Sequence, residues 1–427
     1  MNFKKHLPAK SKACTAVRNV FFYSFISGTD VWEKFMNFDE IKQTAQEHFM
    51  PTYARFNTAI VSGKGSTLQD ADGRELIDFT AGIGVNSLGC AHEGWVNAIS
   101  AQAAELQHIS NLYYNPAQTN LAQKLCEMSG FARVFLSNSG AEANECAIKL
   151  ARKYSFDKYG EGRGTVLTLE NSFHGRTMAT ITATGQKEYH KYFLPFPEGY
   201  KYTPANDIEA LDAALDSGVC ALFIEIIQGE GGVLPLASGF IEAARKLCTE
   251  RDILLIDDEV QTGIGRTGKL YAWEHTGQKP DIITSAKGLG NGLPIGACLC
   301  TEELGNVLTA GTHGSTFGGN PVVCAGASEV LRCLDEKLLA EISAKGEYIK
   351  EKLEGFDEVD SVRGKGLMIG VNLKHKAAKE VVAKCVENGL LILTAKDYLR
   401  LLPPLVITYE EIDKGLAILE DVLSDSD

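Results

Sequence analysis

Between residues 133 and 300 the chain repeats one pattern, a short uninterrupted apolar run followed by a segment of helical character. The runs are Arg133–Leu136, Thr165–Leu169, Ala221–Ile227, Ile253–Ile256, Ile282–Ser285 and Ile295–Cys300, with helical segments such as Glu142–Arg152 and Phe240–Glu250 between them. A strand with one buried face alternates apolar and polar residues, whereas a strand that is apolar throughout must be covered on both faces. Such strands alternating with helices predict an α/β fold, a mostly parallel sheet sandwiched by helices.

The flanking segments read differently. Thr58–Phe79 predicts two strands around a turn at Asp70-Ala71-Asp72-Gly73. After about Pro321 a long helix (Val322–Leu338) and another around Glu341–Glu354 are expected. Strand-rich segments follow at Gly366–Asn372, Leu391–Thr394 and Arg400–Leu402, and a closing helix begins near Glu410. The expectation is a large domain over 86–320, with 36–85 and 321–427 joining in a smaller α+β domain. A chain of 427 residues is long enough for both. Residues 1–35 stand apart, with a net charge of +4 against −17 for the rest. They read as an extension; a basic start and a short apolar patch hint at targeting, but no A-x-A-like cleavage site follows.

Composition narrows the partners. A net charge of −13 argues against nucleic acid or an anionic membrane. No apolar run is long enough to span a bilayer. The eleven Cys are scattered with no C-x-x-C pair, as expected for reduced thiols in a cytoplasmic protein. No two His stand at metal-ligand spacing with a carboxylate between them, so no catalytic metal is expected.

Three strings lie at the ends of these strands, where open α/β sheets bind ligands. Ser137-Asn138-Ser139-Gly140-Ala141-Glu142-Ala143-Asn144 follows a strand and opens a helix. Its small residues would let backbone N–H groups and the helix N-terminus approach a phosphate. An ordinary strand-to-helix turn with a Ser cap fits this segment equally well. Leu255-Ile256-Asp257-Asp258-Glu259-Val260-Gln261 puts carboxylates directly after a buried strand, where an unpaired charge is costly. A cationic ring nitrogen would account for them; so would a solvated loop or a metal. In Thr284-Ser285-Ala286-Lys287-Gly288-Leu289-Gly290-Asn291-Gly292 a Lys sits between an apolar strand and a Gly-rich loop. Enclosed there, its amine becomes available for Schiff-base chemistry. A lone strand-end Lys is usually just solvated; its place after the Asp pair and the phosphate-type turn makes the combination specific.

Together these residues resemble a known family. Asp258-Glu259-Val260-Gln261-Thr262-Gly263-Ile264-Gly265-Arg266-Thr267-Gly268, Ala286-Lys287-Gly288-Leu289 and Gly314-Ser315-Thr316-Phe317-Gly318-Gly319-Asn320-Pro321 look like the class III, fold type I aminotransferases, from about residue 36 to the C-terminus. Within the class the chain is most similar to the acetylornithine aminotransferases of arginine synthesis. The resemblance implies pyridoxal 5′-phosphate as cofactor and Lys287 as its Schiff-base partner and general base. It implies that Asp258 pairs with the pyridine nitrogen and that Gln261 lies near the phenolic oxygen. Ser139, Gly140 and Ala141 would hold the phosphate, and Phe173 would stack on the ring. Thr316 would reach the phosphate of a neighbouring subunit's cofactor, implying a homodimer with sites at its interface. Arg176 and Ser315 would bind substrate, with Glu230 pairing with a second arginine, Arg400. For an isolated Arg, surface salt bridging is the commoner role.

The implied reaction is ping-pong transfer of the δ-amino group of N2-acetyl-L-ornithine to and from 2-oxoglutarate. Ornithine, 4-aminobutyrate, succinylornithine and diaminopimelate-type donors use the same site physics. An aminomutase or racemase shares the fold, but the paired arginines argue against both. Three departures touch loop geometry: Ile226 after Glu225 where the family usually has Pro, Glu93 after His92 where it usually has Pro, and Asn291 where Gly is common.

Overall fold

The computed structural model describes residues 37–425; the expectations for residues 1–35 lie outside them. Two compact units are distinguished by their internal contacts: residues up to Ile60 with Asp70–Gly73, and Val61–Gln69 with Arg74 onward. In the first unit, the helix Phe38–His48 opens with a capping box. Asn37 Oδ1 accepts from the Glu40 amide (3.0 Å) and Glu40 Oε2 from the Asn37 amide (3.3 Å).

The second unit contains the expected sheet. Its seven strands are β1 (Arg133–Ser137), β2 (Thr165–Leu169), β3 (Tyr200–Thr203), β4 (Val219–Ile224), β5 (Leu254–Asp258), β6 (Ile282–Ser285) and β7 (Gly296–Cys300), arranged β1-β7-β6-β5-β4-β2-β3. Only β7 runs against its neighbours. The uninterrupted apolar runs follow from what covers the two faces. Val166, Ala221, Phe223, Leu254, Ile256 and Ile282 pack with Cys146, Ala147, Leu150 and Ala151 of the helix Gly140–Tyr159. The alternate residues Leu167, Leu222, Ile224 and Leu255 pack with Phe240, Ile241, Ala244 and Cys248 of the helix Ser238–Glu250. Neither face meets water, so neither can be polar.

A second sheet, wholly antiparallel, joins Val359–Lys365, Met368–Leu373, Tyr398–Leu401 and Leu393–Ala395 in that order. In it Arg400 stands opposite Gly370 and Leu393. Thr67–Asp70 and Glu75–Asp78 pair antiparallel around the expected turn, and a further strand, Ile60–Lys64, precedes them. The two helices expected over Val322–Leu338 and around Glu341–Glu354 are Pro321–Cys333 and Glu336–Glu354, so the boundary between them falls earlier than expected. Asp335 sets it by accepting the Leu338 amide (2.8 Å) as the N-cap of the second. None of the described helices is long and apolar enough to cross a membrane.

Candidate active site

The carboxyl ends of β1, β5 and β6 open onto one cavity of about 330 Å³. Asn138, Ser139, Gly140, Ala141, Phe173, Asp258, Gln261 and Lys287 all line it. The pairing of Asp258 with Thr284 and of Ser137 with Gly296 brings these strand ends level.

The first wall is the start of a 20-residue helix. Ser139 is its N-cap, accepting the Glu142 amide at 3.2 Å. That leaves the small residues Gly140 and Ala141 in the first turn, where unpaired amides and the helix dipole favour an anion. Gly140 is required by a close approach: a Cβ there would lie 2.7 Å from Val260 Cγ1.

Asp258 is buried at the end of β5, and both of its oxygens are bonded. Its Oδ2 accepts from Asn144 Nδ2 and meets His174 Nδ1, both at 2.8 Å, and its Oδ1 accepts the Val260 amide at 3.1 Å. His174 is held flat against Phe223, ring centroids 4.0 Å apart. The neighbouring carboxylates have different fates. Burial, and then the Glu259 charge, push Asp257 well above the usual carboxylate range. Glu259 is also raised by burial, and it accepts from the Trp273 amide (2.9 Å) and the Thr262 hydroxyl. One strand end thus carries three acids, of which Asp258 alone lines the cavity.

Lys287 follows β6 with φ +43°, a left-handed conformation that a non-glycine residue adopts only under constraint. Burial lowers its amine pKa, partly offset by the charge of Glu230. Behind it, Asn291 also has positive φ (+47°), which Asn tolerates better than most residues, and its Oδ1 accepts the Leu88 amide at 2.7 Å. The departure from Gly at this position is therefore accommodated, and it adds a brace.

Gln261 connects the cavity to an ion pair. Arg400, 2% exposed, donates through Nη1 to Glu230 Oε1 at 2.5 Å and to Gln261 Oε1 at 3.3 Å. Gln261 Nε2 reaches Glu230 Oε1 at 3.4 Å. Burial alone would raise Glu230, but Arg400 and then Lys287 outweigh it and hold the carboxyl below its ordinary value. Arg363 fixes the Glu230 loop against the second sheet by donating to Gly232 O (2.8 Å) and Val233 O (3.0 Å). Arg176 contrasts with Arg400. It is exposed, lies 4.2 Å from the Tyr189 ring centroid and 5.6 Å from that of Phe173, and faces no carboxylate among the described residues.

Ser315 Oγ accepts from Asn138 Nδ2 at 3.1 Å, next to the Ser139 turn. Thr316 is exposed and does not line the cavity of its own chain. The sequence reading missed His174, Asn144 and Glu225. Asn144 lay inside a string already singled out, one helical turn from Gly140, and His174 stands directly beside Phe173. Glu225 accepts the Phe173 amide (2.8 Å) and the Gly229 amide (3.1 Å); burial and the Asp258 charge raise it to about 8.

Known proteins place this arrangement. Residues 49–423 match the family model for class-III aminotransferases. The acetylornithine aminotransferase of Haemophilus ducreyi is 48% identical over 392 residues, 91% of this chain and 100% of that protein. That of Caldanaerobacter subterraneus subsp. tengcongensis is 50% identical, over 89% of this chain and 98% of that one. Among solved structures, the ornithine aminotransferase of Toxoplasma gondii superposes with a TM-score of 0.87 at 33% identity, covering 97% of this chain and 98% of that one. The N-acetylornithine aminotransferase of Stenotrophomonas maltophilia gives 0.78 at 35%, covering 90% and 98%. With a model spanning most of the chain and relatives this similar over nearly their full length, the chain belongs to the class-III aminotransferases.

Proposed function

We propose that the chain transfers the δ-amino group of N2-acetyl-L-ornithine to 2-oxoglutarate, and the reverse, in arginine biosynthesis in the cytoplasm, using pyridoxal 5′-phosphate held in the cavity at Lys287. The residues present suit that cofactor. Gly140 and Ala141 offer helix-end amides to a phosphate, Asp258 is a buried acceptor, and Phe173 is an aromatic wall. When bound, the cofactor supplies an electron sink and carries the amino group between the two substrates. The protein does the rest. Burial favours the neutral form of the Lys287 amine, which can then take and return a proton at Nζ. Asn144 and His174 orient the Asp258 carboxylate. Arg176 offers an unpaired fork to a substrate α-carboxylate.

The single observation that carries the choice of substrates is the Glu230–Arg400 pair beside Gln261. With Glu230 in place, Arg400 is neutralised and the site suits a donor with one carboxylate near the reacting end. With Glu230 turned aside, Arg400 is free to bind the second carboxylate of glutamate or 2-oxoglutarate. In this reading residues 86–320 form the cofactor-binding domain, and 36–85 with 321–427 the smaller one.

A homodimer belongs to the same proposal. Thr316 is exposed beside Phe317, Leu112, Tyr113 and Tyr114, exposed large apolar residues of the kind that partners cover. Thr316 would then serve the partner's phosphate. Thr316→Ala should release cofactor faster on dialysis, and a monomeric fraction should be inactive; unchanged retention would count against the shared site.

The test of substrate is spectroscopic. Cofactor-loaded protein is mixed in turn with N2-acetylornithine, ornithine, 4-aminobutyrate and glutamate, and the change in cofactor absorbance is ranked by rate. N2-acetylornithine is expected among the fastest donors. Its absence from them would overturn the substrate, and silence with glutamate would overturn transamination itself.

A further inference from the structure

Away from the cavity, one cluster has the composition and spacing of metal ligands. The ligand atoms of His92, Glu329 and Cys333 all lie within 4.8 Å of one another. Glu329 and Cys333 are four residues apart on the helix Pro321–Cys333, so their side chains stack on one face. His92 is the N-cap of the helix Glu93–Glu105, which packs against it. The approach depends on Gly94, where a Cβ would stand 2.1 Å from Glu329 Oε1. Cys333 Sγ lies 3.8 Å from Glu329 Oε1, close to the ~3.5 Å separation of sulfur and oxygen bound to one tetrahedral zinc.

The cluster already attracts a cation. Arg332 places Nε and Nη2 each 2.6 Å from a Glu329 oxygen, and Nη2 is 3.9 Å from Cys333 Sγ. Its side chain is 64% exposed. The contact is bidentate, the stronger form of this ion pair, but the guanidinium is mostly in water, so a divalent ion held by all three ligand atoms competes with it for Glu329. One sulfur, one imidazole nitrogen and one carboxylate oxygen form a set that suits zinc and disfavours magnesium or calcium, which take oxygen ligands.

We propose that His92, Glu329 and Cys333 form a zinc site, with three protein ligands and a fourth position open to water, in which Zn²⁺ displaces the Arg332 guanidinium. The Cys333 thiol loses its proton to solvent and a zinc–sulfur bond replaces S–H. His92 Nδ1 now accepts a long hydrogen bond from the Trp95 amide (3.3 Å). Coordination through Nε2 shifts the ring proton to Nδ1 and releases that bond. The ion then clamps the start of Glu93–Glu105 to the end of Pro321–Cys333, a structural role separate from the reaction at Lys287.

The experiment is a calorimetric titration of the full chain, stripped of metal by a chelator, with Zn²⁺. A parallel titration with Co²⁺ reads the thiolate-to-cobalt absorption band. One ion per chain is expected. His92→Ala and Cys333→Ser should each weaken binding at least ~10-fold, and Arg332→Gln should tighten it by removing the competing cation. A second measurement needs no variant: Zn²⁺ should slow alkylation of Cys333 by N-ethylmaleimide, followed at the peptide level by mass spectrometry. Absence of stoichiometric binding, equal binding in both ligand variants, or an unchanged alkylation rate would each overturn the site.

Discussion

Around Lys287 and Asp258 the polar groups are fixed in place, whereas around Arg176 and Arg400 they have been left adjustable. Asp258 accepts three hydrogen bonds from residues that are themselves anchored, and Lys287 is set in a constrained backbone conformation. Arg176 lies open against Tyr189, and the Arg400 charge is met by a glutamate on a loop. In the proposed function, the first region presents one geometry to one cofactor in both halves of a ping-pong cycle, and the second accepts two substrates that differ by a carboxylate. Rigidity in one and a movable counter-charge in the other follow from that difference.

Variants can break each side of this comparison. The largest effect is expected for Lys287→Ala, which should lower turnover by at least about 10⁴-fold, because it removes both the nucleophilic amine and the proton carrier. Burial disfavours the Lys287 charge, so thermal stability of the cofactor-free variant should not fall; a large fall would mean that the lysine is structural. Next, Asp258→Asn keeps the shape but loses the charge, and turnover should fall about 10²–10³-fold, as for loss of one group that stabilises developing charge. Unchanged kinetics would remove Asp258 from the site. Gly140→Ala forces a methyl group to within 2.7 Å of Val260 Cγ1, and should cost about 1–3 kcal/mol of stability along with weaker phosphate retention, measured by thermal unfolding with and without cofactor.

A pH-dependent effect concerns Glu225. Its pKa is raised from 4.5 to about 8 in the folded protein, so between those values the folded chain holds a proton that the unfolded chain has lost. Its contribution to stability is complete below about 4.5 and is lost as pH rises toward about 8. Glu225→Gln should therefore gain thermal stability relative to the parent as pH is raised from 5 to 8. A difference that does not vary with pH would show that Glu225 does not titrate there.

Much of the fold was legible because strands covered on both faces must be apolar throughout; β1, β2 and β4–β7 each began as such a run. The strand Val359–Lys365 was not, because most of its residues are exposed or half-buried and leave no pattern. The early boundary between the two helices at Asp335 turned on one capping side chain within an otherwise helical sequence. In the site, Lys287, Asp258 and the Gly140 turn were legible as short strings at strand ends. The partners of Asp258 were not, because the contacts that bring Asn144 and His174 to it are tertiary. The same reason hides the His92–Glu329–Cys333 cluster, whose ligands come from helices far apart in sequence.

The Glu230–Arg400 pair carries the claim that one site serves two kinds of substrate, and it can be measured directly. The rates of the glutamate and N2-acetylornithine half-reactions are determined for the parent and for Glu230→Ala, and their ratio compared. Removing the counter-charge leaves Arg400 free for a second carboxylate, so the ratio should shift toward glutamate by about tenfold or more. A ratio unchanged by Glu230→Ala would contradict the account.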